Sequence, residues 1–256
     1  MSKLKICSLG SGSRGNSIFI GTKHSKILID AGFSGLKIKD RLNRIKEDIS
    51  EINAILISHE HTDHIRGAKT LSNFNKVPVF YSKDFPEYFH EKVKFKDFFV
   101  SGEEFKIKDF VIESFFIPHD AQDPVGFIVK YSDLKIGIAT DLGKVNNLII
   151  NRLKNCNVIF LEFNHDENLL INGQYPWELK QRILSSHGHL SNANAVNLLK
   201  EIVWEGLTDV FISHISEKNN SIEKIKEEIY NNFNSFHDNL KFHFTFQEKI
   251  SHLLTI

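Results

Sequence analysis

Residues 58–64 read Ser-His-Glu-His-Thr-Asp-His, which places three histidines and an aspartate within six consecutive positions. The run follows the apolar, β-branched stretch 54–57, so the strand predicted there delivers the polar cluster from its end. His59 and His61, two apart, share a side only where the chain is extended or turning. Asp63 and His64 then enter from the start of the next helix. Imidazole nitrogen with carboxylate oxygen is a donor set for zinc, manganese or iron rather than calcium. Packing does not explain such a cluster, and the run reads as a metal site rather than a solvated loop. The two cysteines, Cys7 and Cys156, are too few for a cysteine-only cluster or a disulfide scaffold, and are expected to be buried and inert.

Around this cluster the chain predicts a β-rich α/β fold. Short apolar runs rich in β-branched and aromatic residues occupy 4–9, 17–20, 26–29, 54–57, 78–81, 110–117, 126–131, 135–139, 158–162, 209–213 and 241–246. Helical periodicity marks 36–45, 64–73, 192–203 and 222–233, with Ala195, Leu198, Leu199 and Ile202 on one face and Ile222, Ile225, Ile229 and Phe233 on another. Strands first follow one another and later alternate with helices, which suggests two sheets between helical layers. No linker, repeat or low-complexity segment divides the 256 residues, so one domain spanning 1–256 is expected. With 32 basic and 32 acidic residues, formal net charge is zero, which argues against holding nucleic acid by bulk positive charge alone. No secretory leader or membrane-length apolar run is evident, so the expected location is cytoplasmic, without membrane contact.

The HxHxDH pattern of His59, His61, Asp63 and His64 resembles the signature of the metallo-β-lactamase-fold hydrolases. That resemblance implies a four-layer αββα sandwich: two mixed β-sheets flanked by helices. It also implies further ligands at the ends of later strands, where His119, Asp141 and His214 stand; each follows an apolar run, as His59 does. Rigid strand ends are good platforms for a ligand cluster. By the same resemblance His59, His61 and His119 hold one metal, Asp63, His64 and His214 a second, and Asp141 bridges them. The cofactor expected is a pair of divalent transition-metal ions, zinc, manganese or iron. Asp30, ending Lys-Ile-Leu-Ile-Asp, matches the family aspartate that braces the metal loop. Departures from other branches narrow the family. His64 stands where the antibiotic-destroying branch has arginine, and His61 where the di-iron oxidoreductases have glutamate. The 72 residues between Asp141 and His214 leave no room for the inserted domain of the β-CASP nucleases.

A second constellation comprises Glu162 in Phe-Leu-Glu-Phe-Asn-His-Asp and the later Ser-Ser-His-Gly-His-Leu-Ser-Asn of 185–192. Followed by a helix, a strand and His214, it resembles the C-terminal half of the family's phosphodiesterases, including the tRNA 3′-end endonucleases. The resemblance makes His189 the general acid, with Glu162 as its orienting partner; Asp63, His189 and Glu162 are the catalytic candidates. Ser191 or Asn192 is the expected cap of the following helix, whose N-terminus favours a phosphate. His187 is expected to satisfy backbone groups in a turn, and His165 and Asp166 either contact substrate or cap. The tract Leu-Gly-Ser-Gly-Ser-Arg-Gly-Asn-Ser of 9–17 offers amides, hydroxyls and one arginine to an oxyanion, although such tracts also simply make hairpins. Ser13, Arg14, Asn16 and His165 are therefore candidate phosphate contacts. Together with His119-Asp120-Ala121, Pro124-Val125-Gly126-Phe127 and Thr140-Asp141-Leu142-Gly143, these motifs make nearly the whole chain similar to the small bacterial YycJ (WalJ)-type exonucleases.

The expected function is a dinuclear metal-dependent phosphodiesterase, chiefly a DNA exonuclease, in which a hydroxide shared by the metals attacks phosphorus and His189 protonates the departing oxygen. The expected partner is nucleic acid, DNA before RNA; the sequence implies no protein partner. The alternatives are a small-molecule ester, thioester or lactone hydrolase on the same centre, a tRNA-processing endonuclease, and a non-catalytic metal-binding protein. Arg66, Lys144 and Lys218 flank the motifs and could meet phosphates, though most such side chains are simply solvated. His24, His90, His237, His243 and His252 lack ligand spacing and read as surface or structural.

Overall fold

The computed structural model describes residues 3–232 and 240–256. In chain order the elements begin with strands β1 (Lys5–Gly10), β2 (Ser17–Gly21) and β3 (Lys26–Ile29), helix α1 (Gly35–Arg44) and strand β4 (Ala54–Leu56). Then come α2 (Thr62–Ile65), α3 (Ala68–Asn75), β5 (Val79–Ser82), α4 (Glu87–His90), β6 (Lys96–Phe99), β7 (Glu104–Ile107) and β8 (Phe110–Phe116). The remainder are β9 (Val125–Tyr131), β10 (Leu134–Ala139), α5 (Asn147–Leu153), β11 (Val158–Glu162), α6 (Glu167–Asn172), α7 (Trp177–Leu184), α8 (Asn192–Ile202), β12 (Asp209–Ser213), α9 (Ile222–Asn232), β13 (Lys241–Phe244) and β14 (Leu254–Thr255). The strands form two mixed sheets flanked by helices. Among the described residues no helix is long and apolar enough to cross a membrane.

The chain divides into two compact units, the first being Met1–Ser114, Ala121–Val125 and Thr245–Ile256. Its sheet has the order β14-β1-β2-β3-β4-β5-β6, antiparallel from β14 to β3 and parallel from β3 to β6. Helix α1 starts at the Ser34 cap, whose side chain accepts from the Lys37 amide, and buries Ile38 and Leu42. These join Cys7, Phe19, Leu28, Ile55, Leu71 and Tyr81 in one apolar core. The helix expected over 64–73 is two helices, α2 and α3, separated by Arg66 and Gly67. Gly67 donates its amide to Ala31 O at 2.7 Å, and a Cβ there would lie 2.3 Å from Phe33 O. The break lets the chain pass close to the end of β3. Strands β7 and β8 form an antiparallel hairpin.

The second unit is Phe115–Asp120 and Gly126–Phe244. Its strands lie in the order β13-β12-β11-β10-β9, parallel from β10 to β13, with β9 antiparallel to β10. Each parallel neighbour needs a crossover, and the crossover helices α5, α8 and α9 supply the apolar layer. Ser191 caps α8, which buries Ala195, Val196, Leu198, Leu199 and Ile202. Each large member of that face contributes about 1.5–3 kcal/mol on burial. Phe115, Ile128, Leu153, Ile159, Phe163, Leu190, Val210 and Ile225 complete this core. Phe233 and His237 lie outside the described residues. The strands β6, β7 and β14 and the helices α4 to α7 have no counterpart in the hydrophobic pattern. In β6 only Phe99 is buried, so its sequence carries no apolar face.

Candidate metal centre

In the first unit the metal-ligand candidates sit on a loop tied down by its neighbours. Asp30 follows β3 in the left-handed region, φ 63°, and its carboxylate accepts from the Ser58 amide at 2.8 Å and the Ser58 hydroxyl at 2.9 Å. It also accepts from His64 Nδ1 at 2.8 Å, which leaves Nε2 as the ring nitrogen that His64 could offer a metal. Ser58 Oγ is 3.0 Å from His59 Nδ1, which leaves His59 Nε2 as its outward atom. The His59 ring centroid is 4.0 Å from that of His64 and 4.6 Å from that of His61. His59 and His64 are fully buried, and Asp63 Oδ2 lies 3.5 Å from His64 Nε2. Backbone bonds hold this geometry: Ala31 N donates to His64 O at 2.8 Å, Asn16 N to Asp63 O at 2.8 Å, and Gly32 N to Asn16 O at 2.9 Å. Gly32 has no alternative, because a Cβ would lie 1.6 Å from Asp63 O.

The Gly-Ser tract belongs to the same bracing. Asn16 is buried; its Oδ1 accepts from the Gly12 amide at 2.9 Å, and its Nδ2 lies 3.2 Å from Asp63 Oδ2 and 3.1 Å from His64 Nε2. Ser11 N donates to Phe246 O, Arg14 N to Gln247 Oε1 and Gly15 N to Gly12 O. Those amides are therefore engaged within the protein, while the side chains of Ser13 and Arg14 remain exposed, with Arg14 3.4 Å from Glu248.

In the second unit the candidates come from strand ends far apart in sequence. His119 lies beyond β8, Asp141 beyond β10 and His214 directly after β12; Asp141 and His214 both have positive φ, 58° and 53°. Glu162, the last residue of β11, is fully buried. Its Oε1 accepts from both His189 Nδ1 and His214 Nδ1, each at 2.8 Å, and its Oε2 accepts from the amides of Leu142 and Leu190. Burial opposes its charge, yet the two imidazoles outweigh that and hold the carboxyl far below the usual carboxylate range. The sequence pairs Glu162 with His189; its equal grip on His214 is an addition. His214 Nε2 then faces Asp141 Oδ1 at 3.5 Å. His119 donates Nδ1–H to Gly188 O at 3.3 Å and turns Nε2 toward Asp141 Oδ1 at 3.9 Å. Burial pushes the His119 imidazole below its ordinary pKa, toward the neutral form a metal requires.

This donor set fits divalent transition metals. Ligand atoms of Asp141, Glu162, His189 and His214 lie within 4.8 Å of one another, nitrogen mixed with carboxylate oxygen. With Glu162 engaged by both Nδ1 atoms, Asp141 and the Nε2 atoms are the groups available to an ion.

Other expected residues sort clearly. Asp166 caps α6, accepting from Leu169 N at 2.8 Å. Ser191, rather than Asn192, caps α8. His187 is exposed, with Nδ1 beside Ser186 Oγ at 3.1 Å. His165 is 1% exposed, so contact with a substrate would require its surroundings to move. Cys7 and Cys156 are free and buried, and burial pushes the Cys156 thiol up to about 12. The sequence named Asp120 only within the His119-Asp120-Ala121 motif and did not point to Arg182; the two pair in the second unit through Arg182 Nε and Asp120 Oδ2 at 2.5 Å.

The chain matches the family described as Beta-lactamase superfamily domain over residues 25–214. It is 32% identical over 220 residues to Exodeoxyribonuclease YycJ of Bacillus anthracis, which covers 84% of this chain and 83% of that protein. It is 34% identical over 224 residues to Exodeoxyribonuclease WalJ of Streptococcus pneumoniae, with the same coverage, 84% and 83%. Among solved structures, the metallo-beta-lactamase fold protein YhfI from Bacillus subtilis is similar with a TM-score of 0.77 over 100% of both chains, at 15% identity.

Proposed function

Since the chain belongs to the beta-lactamase superfamily, we propose that it is a metal-dependent phosphodiesterase that degrades DNA from an end. What carries the reading is similarity at 32–34% identity, along 84% of the chain, to two proteins named exodeoxyribonuclease. The Glu162–His189 pair supports it chemically. On this reading the chain is one catalytic domain, 1–256, working in the cytoplasm with a pair of divalent metal ions. By the family resemblance His59, His61, Asp63, His64, His119, Asp141 and His214 are the residues that would hold them. Bound divalent ions supply Lewis acidity toward a water and the attacked phosphoryl group.

The chain's own residues do the rest. Asp30 and Glu162 fix the tautomers of His64 and His214 by taking Nδ1–H, so both present Nε2. Glu162 sets His189 in the same way, leaving its Nε2 to hand a proton to the departing oxygen. The His189 side chain is 22% exposed, which gives a substrate access to it. Ser13 and Arg14 are the exposed members of the Gly-Ser tract able to meet a phosphate.

End-labelled single- and double-stranded DNA and RNA, with blocked and free termini, test the reading in manganese, zinc and magnesium. DNA should shorten progressively from a free end, and Asp141→Asn should lose bound metal or all turnover. Metal-loaded protein that cleaves no phosphodiester would overturn the proposal.

A further inference from the structure

Arg182, at the end of α7, is 60% exposed at its side chain yet is held in place by the architecture of the site. Its backbone belongs to the turn that carries His189: Ile183 O accepts from the His189 amide at 2.9 Å. Gly188 sits tightly beneath that turn, and a Cβ on it would lie 2.2 Å from both Arg182 O and Ile183 O. The same Gly188 gives its carbonyl to His119 Nδ1. The arginine side chain is anchored by Nε to Asp120 Oδ2 at 2.5 Å, while Asp120 Oδ1 lies 3.4 Å from His119 Nε2. One carboxylate thus separates the guanidinium from a metal-ligand candidate.

The anchoring atom matters. An arginine whose purpose is to neutralise a carboxylate pairs best through two parallel bonds. Here only Nε is engaged, and among the described residues neither Nη group has a protein acceptor. Asp120 therefore fixes the side chain without using the planar fork that recognises phosphate. In return its own negative charge, which would repel a strand beside His119, is cancelled.

Resting on the phosphodiesterase reading, we propose that Arg182 binds a backbone phosphate of the substrate strand next to the bond being cut, with Asp120 holding it ready. Phosphate contacts of this kind set register and orientation and carry no base information. Arg182 accordingly sets how DNA is presented to His189 rather than which sequence is chosen.

The test is binding of a phosphorothioate single-stranded oligonucleotide to the metal-loaded full chain, by fluorescence anisotropy across a salt series. Arg182→Gln should weaken Kd about tenfold. It should also reduce the slope of log K against log salt by about 0.7, the loss of one phosphate contact. Arg182→Lys should restore the slope, because the charge returns. The double variant Arg182→Gln/Asp120→Asn should remain weak. Recovery in the double variant would show that Arg182 only neutralises Asp120, and would overturn the proposal. So would an unchanged Kd and slope in Arg182→Gln. Turnover of bis(p-nitrophenyl) phosphate, which has no neighbouring phosphate, should stay within about twofold. An equal loss on that diester and on DNA would place the effect at His119 and sink the proposal. Wild-type protein cleaving neither substrate would instead sink the phosphodiesterase reading, a failure separable from the binding result.

Discussion

The two units solve the same problem, presenting imidazoles with the correct nitrogen outward, by opposite means. In the first, His59, His61, Asp63 and His64 come from one short run, and many small ties hold it: Asp30, Ser58, Asn16 and the backbone around Ala31 and Gly32. In the second, the donors are scattered from His119 to His214, and one side chain, Glu162, collects two imidazoles and two amides. Distributed bracing tolerates the loss of one tie. Bracing through a single buried carboxylate does not.

Substitution at Glu162 gives the largest expected effect. Glu162→Ala should destabilise the protein by about 3–5 kcal/mol, the usual result of removing one partner of a buried charged cluster, measured by urea unfolding of the metal-loaded chain. Turnover should fall to background. Stability close to wild type would mean that the second unit is braced as redundantly as the first. Next in size, His189→Ala should keep its metal, by elemental analysis, and lose about 10²–10⁴-fold in kcat. Metal loss there would make His189 a ligand and redraw the second unit's donor set. Asp30→Asn should be milder, costing about 10–100-fold in metal affinity, read by competition with a chelator, because Ser58 and the backbone ties remain. The smallest effect concerns the two cores. Burial raises both thiols, Cys156 to about 12, so neither should react with a thiol reagent at pH 8 until the chain unfolds. Fast reaction of one thiol in the native protein would mark its core as the looser.

The same contrast explains what could be read in the chain before its fold. Local devices were legible. The 59–64 run declares itself by density, and Asp141 and His214 by standing just beyond apolar runs that are strands β10 and β12. Devices built in three dimensions were not. Arg182 and Asp120 are 62 positions apart and lie in no shared pattern. Glu162 was visible as a partner for His189, but its hold on His214, 52 positions away, needed the parallel register of β11 and β12. The Gly-Ser tract suggested amides open to an anion, whereas Asn16 turns part of it inward as a brace for Asp63 and His64. Edge strands such as β6 escaped because exposed residues leave no periodicity to detect.

Three of the site's acidic and imidazole groups, Asp30, Asp141 and His214, sit on backbone that turns to positive φ where a strand has just ended. Among ordinary side chains asparagine adopts that turn most readily, whereas alanine is disfavoured there by about 1–2 kcal/mol. Alanine scanning at these positions would mix a conformational penalty with the chemistry it aims to remove. An inactive form intended to trap a bound substrate for crystallography is better made with asparagine at Asp141 or His214, which keeps the corner intact while silencing the group.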